Sequence, residues 1–160
     1  DSPHSIADRD IRQQTMMRAY DLLGELGYIN RQITDFTDVA KKLAENEKLP
    51  KKIRKQISET STQLSDLRQE MVATKKGGIT GETKLREKIG DIYGNVMDYQ
   101  GRPTQTQIES LAMLEKEVDV NKQKVEKIFG EKLPVFNPEL EKAGLQPIKL
   151  TTKEEFEKEN

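Results

Sequence analysis

Cysteine and tryptophan are absent from this 160-residue chain, histidine occurs once, and the remaining aromatics are four Tyr and four Phe. Without cysteine there are no disulfides, thiolate nucleophiles or Cys-ligated metals, while the redox compartment stays open. The lone histidine, His4, precedes every predicted helix. It cannot supply the two Glu-x-x-His ligand pairs of a di-metal bundle or serve as base to a serine in the packed region. We expect His4 to be a frayed terminal residue, with no metal and no cofactor bound by the chain. Apolar runs are short, Leu111–Leu114 being among the longest, so no segment is expected to span a membrane. No signal-peptide pattern is present, and an opening on Asp1-Ser2-Pro3 reads as a mature product or a piece of something longer.

Charge of one sign is lacking too. Charged residues make up 34% of the chain, yet the net charge is −1, which argues for a mixed Lys/Glu surface and against nucleic-acid binding. Leu, Ile, Val and Phe together number 37 of 160, above the level of roughly 20% below which chains tend to be disordered. The chain is therefore expected to fold, as one domain over residues 1–150.

What is present is helical periodicity. From residue 5 to 45 the apolar positions Ala19, Leu22, Leu26, Ile29, Ile33, Phe36, Ala40 and Leu43 alternate three and four apart, the spacing of one packed seam. Gly24 and Gly27 interrupt that seam at about 1 kcal/mol each relative to Ala, which suggests a bend or a close helix crossing without ending the helix. A second helix is predicted over 51–75, opened by Pro50 and carrying Ile53, Ile57, Thr60, Leu64, Leu67, Met71 and Thr74. A third, over 82–99, carries Leu85, Ile89, Ile92, Val96 and Tyr99. In the fourth, over 105–129, Thr104 is the N-cap, Gln107 completes a capping box, and Leu111, Leu114, Val118, Asn121, Val125 and Ile128 form the seam.

Beyond Gly130 the stretch KLPVFNPELEKAGLQPIKL holds three prolines and no regular apolar period, so the fourth helix should stop. A short helix over 138–143 is expected inside it, with Asn137 as N-cap, Pro138 at the first position and Gly144 in the left-handed conformation that closes it. Residues 151–160 are expected to be a frayed tail. The predicted architecture is an all-α, up-down-up-down antiparallel bundle with a first helix of about 60 Å and a Pro-rich C-terminal extension. That extension should cover Ile11, Met16 and Met17.

No catalytic constellation emerges. GGITGETK at Gly77–Lys84 lacks the Lys directly after its last glycine and any preceding strand, so it reads as a helix–helix turn and not as a phosphate loop. Glu115, Glu117 and Asp119 read as a solvated face, because nothing local would bury them and raise their pKa values. Lys51, Lys52, Arg54 and Lys55 put cations in the first turns of a helix, against the macrodipole, and so form a candidate surface for an acidic partner or a phosphate group. The solvated-end reading, with Glu45 and Glu47 compensating, stands beside it. Arg102 is the one residue of the Gly101–Gln107 corner left free for binding. Tyr20, Tyr28, Tyr93 and Tyr99 fit the rim of a core or an interaction surface.

Three stretches carry a resemblance: DSPHSIADRDIRQQTMMRAYDLL, GRPTQTQIESLAMLEKEV and LPVFNPELEKAGLQPI. Together, and in that order, they resemble the helical C-terminal region of secreted bacterial proteins built on a sortilin-type β-propeller of neuraminidase-like repeats, often labelled glycosyl hydrolases by analogy. The resemblance implies an exported setting (periplasmic, cell-surface or extracellular) and a non-catalytic accessory role. The partner would be the β-propeller of the same polypeptide or of another protein. Any hydrolase-like chemistry would belong to the propeller, and no catalytic residue carries over to this chain. The alternative is a free-standing coiled-coil adaptor that binds a helical or acidic protein through the exposed side of its first helix.

Overall fold

A computed structural model describes residues 3–72 and 84–159. It is an all-α bundle: the described residues form five helices and no strand, with α1 spanning Ile6–Leu43, α2 Lys51–Met71, α3 Leu85–Asp98, α4 Gln105–Lys142 and α5 Lys153–Glu159. Thr74, the GGITGETK turn up to Thr83, and the expected junctions of α2 and α3 lie outside the described residues. The chain divides into two compact units, one of Asp1–Gly27 with Glu70–Val120 and the other of Tyr28–Gln69 with Asn121–Asn160.

The predicted seams are what the helices bury. Ala19, Leu22, Leu26, Ile29, Ile33, Phe36 and Ala40 of α1, and Ile53, Ile57, Thr60, Leu64 and Met71 of α2, are buried. So are Leu85, Ile89 and Val96 of α3, and all six predicted positions of α4 from Leu111 to Ile128. Tyr99 departs from its seam: α3 ends at Asp98, Tyr99 is extended, and its side chain is exposed. The buried hydroxyls of Thr15 and Thr60 donate to the carbonyls of Ile11 and Gln56 on their own helices, both at 2.8 Å, so they enter the core satisfied.

In the first unit, the opening of α1 lies against the end of α3. Tyr20 meets Tyr93 at a ring separation of 6.5 Å, while Arg12 reaches the carbonyls of Val96, Met97 and Tyr99, so these two helices run antiparallel. Arg18 pairs with Glu115, and a side chain at Gly101 would touch His4, so α1 and α4 run in the same direction here. Strict alternation of direction would instead have set α4 against α1. His4 is also not frayed: its ring stands edge-on to Tyr99 at 5.8 Å, and Ser5 caps α1 by accepting the Asp8 N–H at 3.0 Å.

In the second unit, Phe36 of α1 packs between Phe129 and Phe136 of α4, with ring centres 5.9 and 6.3 Å away. The turn between α1 and α2 is held by Asn46, whose side chain accepts the Lys48 N–H at 3.0 Å, and by the buried Leu49.

Two expectations fail beyond Gly130. The fourth helix does not stop near residue 129 and restart at 138; α4 continues through Pro134 and Pro138 to Lys142. Both prolines lie on its exposed side, where water can take the carbonyls they leave without partners, while Phe129, Phe136 and Leu140 are buried on the other. Each proline costs about 3 kcal/mol inside a helix. Burial of the three large side chains returns roughly 1.5–3 kcal/mol apiece, enough to offset the pair. Asn137 is therefore not an N-cap; its Oδ1 accepts the N–H of Ile148 at 2.8 Å and pins the chain that follows the helix. Gly144 has the expected left-handed conformation, φ +73°, and closes α4 with Leu145 N–H to Leu140 O at 2.8 Å and Gly144 N–H to Glu141 O at 3.0 Å.

The tail is ordered as well. Thr152 caps α5 by accepting the Glu155 N–H at 3.2 Å, and the segment lies on Tyr28, Arg31 and Asp35 of α1. Met17, one of the side chains expected beneath the C-terminal extension, is exposed.

Candidate interaction surfaces

The corner after α3 is built by three local devices. Thr104 N–H donates to Gln107 Oε1 at 2.9 Å and Gln107 N–H donates to Thr104 Oγ1 at 3.1 Å, the reciprocal capping box expected from the sequence. Arg12 donates from Nε to Tyr99 O at 2.7 Å and Val96 O at 3.1 Å, and from Nη2 to Met97 O at 2.7 Å. A cation at the negative end of α3 thus satisfies carbonyls that have no intrahelical donor. Gly101 fits beneath the Tyr99 ring, where a Cβ would stand 2.5 Å from Tyr99 Cε1 and 2.9 Å from His4 Cε1. Arg102 is exposed on this corner. Glu115 is not simply solvated, since it is paired with Arg18.

The cations of α2 are placed differently from one another. Lys51, Lys52 and Lys55 are exposed, and Arg54 is half-buried. Lys55 comes within 3.9 Å of Glu59, with both side chains more than half exposed, a pair that contributes little to stability. Arg54 Nε is buried with no hydrogen-bond partner among the described residues. Arg102 belongs to the other unit and is not part of this run.

Two further surfaces gather around tyrosines that the sequence offers only as core rim or interaction surface, without saying what stands beside them. The first combines α1 and α3 in the first unit. Tyr20, 61% exposed, leans on Tyr93, with Met17 one turn before it on α1 and Met97 one turn after Tyr93 on α3. Antiparallel pairing sets the two methionines toward the same side of the tyrosine pair. Gly24, Gly90 and Gly94 continue along these helices, and a Cβ at any of them would meet nothing within 4 Å. Gly24 is therefore not the site of a close helix crossing. Finding this face from sequence requires the α1–α3 register, which no local pattern contains.

The second surface is the face of α1 under α5. Arg31 donates from Nη1 and Nη2 to the two carboxylate oxygens of Glu159 at 2.8 and 3.2 Å, and from Nε to Asp35 Oδ1 at 3.2 Å. Hydrogen bonds to Glu159 and Asp35 raise the Arg31 pKa further above its already high value. Asp35 Oδ2 accepts the Thr151 N–H at 2.8 Å. The Tyr28 ring lies 5.8 Å from Phe156, and its hydroxyl accepts from Gln32 Nε2 at 2.9 Å. Burial, followed by the Glu126 charge, pushes the Tyr28 pKa above 10.0.

Among the described residues no cluster of three or more His, Asp or Glu side chains is arranged to hold a metal ion, and no helix is long and apolar enough to cross a membrane. Compared with protein-family models, with curated proteins and with solved structures, the chain matches none.

Proposed function

We propose that this chain is a non-catalytic packing module that rests against a larger exported protein through the α1–α3 face of its first unit. The observation that carries the reading is the exposed run of Met17, Tyr20 and Met97 around the Tyr20–Tyr93 pair. Contiguous apolar side chains at a surface mark contact sites more often than isolated ones do. The open glycines beside them support the same reading, because Gly24, Gly90 and Gly94 leave room for a neighbouring backbone to approach and perform no packing role within the chain.

The resemblance of the three sequence stretches supplies the partner: a β-propeller of neuraminidase-like repeats, in the same polypeptide or another. On this reading any hydrolase-like activity resides in the propeller, and the helical module orients or stabilises it. The test is the coding sequence that precedes Asp1. Propeller-type repeats upstream are the expected outcome. An upstream sequence without them, together with no separately encoded propeller that binds the purified chain, would remove the reading.

A further inference from the structure

The C-terminal helix is attached in an unusual way. None of its residues is buried, and at seven residues it is too short to be stable alone in water. Its conformation therefore depends on the α1 surface beneath it, and the side chains that receive it there, Tyr28, Arg31 and Asp35, are half-buried. The Arg31 fork grips the Glu159 carboxylate, Asp35 takes the Thr151 N–H, and Tyr28 receives the Phe156 ring. Those three contacts define a recognition pattern: a capped turn opening on Thr, an aromatic side chain near its middle, and a carboxylate one turn later. Arg31 and Asp35 are themselves joined, so the receiving side is set before anything docks.

We infer that the Tyr28–Arg31–Asp35 face of α1 is a docking site for a short acidic, aromatic-bearing helix of a partner protein, and that Thr151–Glu159 occupies it as an internal competitor. Charge complementarity argues for this occupant at its last turn: Glu154 is paired with Lys158 inside the segment, while Glu159 is left to meet the guanidinium fork of Arg31. An internal ligand held by solvent-accessible polar contacts and one ring exchanges readily, because it is tethered at high effective concentration without being locked into a core. The site belongs to the second unit, so this inference does not depend on the packing role proposed for the α1–α3 face.

The experiment uses the full chain and a fluorescein-labelled synthetic peptide, KLTTKEEFEKEN, read by fluorescence anisotropy. Phe156→Ala/Glu159→Lys releases the internal segment, and Glu159→Lys alone serves as the milder variant; circular dichroism checks that both keep the helical content of the parent. Peptide binding at least tenfold tighter to the released variants than to the parent is expected. Arg31→Glu introduced into the released chain should abolish binding of this peptide and restore it for a peptide carrying Lys in place of its last-turn Glu. Equal affinity for parent and released chains, no saturable binding to either, or indifference to Arg31→Glu would each overturn the inference. So would peptide-independent dimerisation of the parent, which would mean that a second copy exchanges its own helix into the site.

Discussion

Replacing Pro134 and Pro138 by alanine, singly and together, separates a continuous α4 from a helix that stops and restarts. In the continuous helix each proline lacks the N–H that would bond to the carbonyl four residues earlier, Gly130 O in one case and Pro134 O in the other, and each ring crowds that carbonyl. Alanine removes a penalty of about 3 kcal/mol in a helix interior. Against this, alanine gives back conformational freedom to the unfolded chain, worth roughly 0.4–1 kcal/mol. Pro138 lies near the end of α4, where the penalty is smaller, and the two sites are one turn apart, so their effects need not add. Net stabilisation of about 1–3 kcal/mol is expected for Pro134→Ala, less for Pro138→Ala, and the most for the double variant. For a chain of this size that raises the melting temperature by roughly 2–4 °C per kcal/mol. Urea titration followed by circular dichroism at the helical band measures it. If the chain instead broke near Gly130 and restarted, Pro138 would stand at a favourable first helical position and its removal would be neutral or mildly destabilising. An unchanged or lowered urea midpoint for Pro134→Ala would refute the continuous-helix reasoning.

Gly24→Ala meets open space on α1, so it should stabilise the isolated chain by about 1 kcal/mol; destabilisation in a thermal melt would show that the helix needs the glycine for a reason the packing does not contain. The pKa of Tyr28 is raised above 10.0 by burial first, then by Glu126 and Glu155, against the opposing backbone hydrogen bond from Lys153 and the charge of Lys122. A raised folded-state pKa means that the neutral phenol is favoured by folding. The contribution is fully present below about pH 10 and is lost as pH rises through the folded-state value. Tyr28→Phe should remove the highest-pH portion of the phenolate absorbance titration and flatten the decline of stability in that range. A titration curve unchanged in shape would contradict the assignment.

The sequence made the seams legible because burial on one face of a helix imposes its own spacing, and that spacing survives Gly24, Gly27 and the polar Thr60 and Asn121. It misled where local signals competed with it. Phe129, Phe136 and Leu140 extend the α4 seam at helical intervals, but Gly130, Pro134 and Pro138 are strong breakers, and their cost is outweighed only by burial that is invisible without the neighbouring α1. The tail was misread for a related reason. Thr152 and Glu155 form a cap pattern that can be seen in the sequence, yet a seven-residue helix persists only because Arg31 and Asp35, more than a hundred residues earlier, receive it. The same holds for the candidate surfaces. The cations of α2 are conspicuous in sequence because charge is local, whereas the Met17, Tyr20 and Met97 face exists only once α1 and α3 lie antiparallel.

Methionine oxidation footprinting tests the proposed packing face most directly. In the isolated chain Met17, Met97 and Met113 are exposed and Met71 is fully buried, so peroxide should convert the first three to sulfoxide and spare the fourth. In the proposed assembly with a β-propeller, Met17 and Met97 should become protected while Met113, which stands on α4 outside the α1–α3 face, stays reactive. Oxidation of Met17 and Met97 at the same rate in the assembly as in the isolated chain would contradict the account.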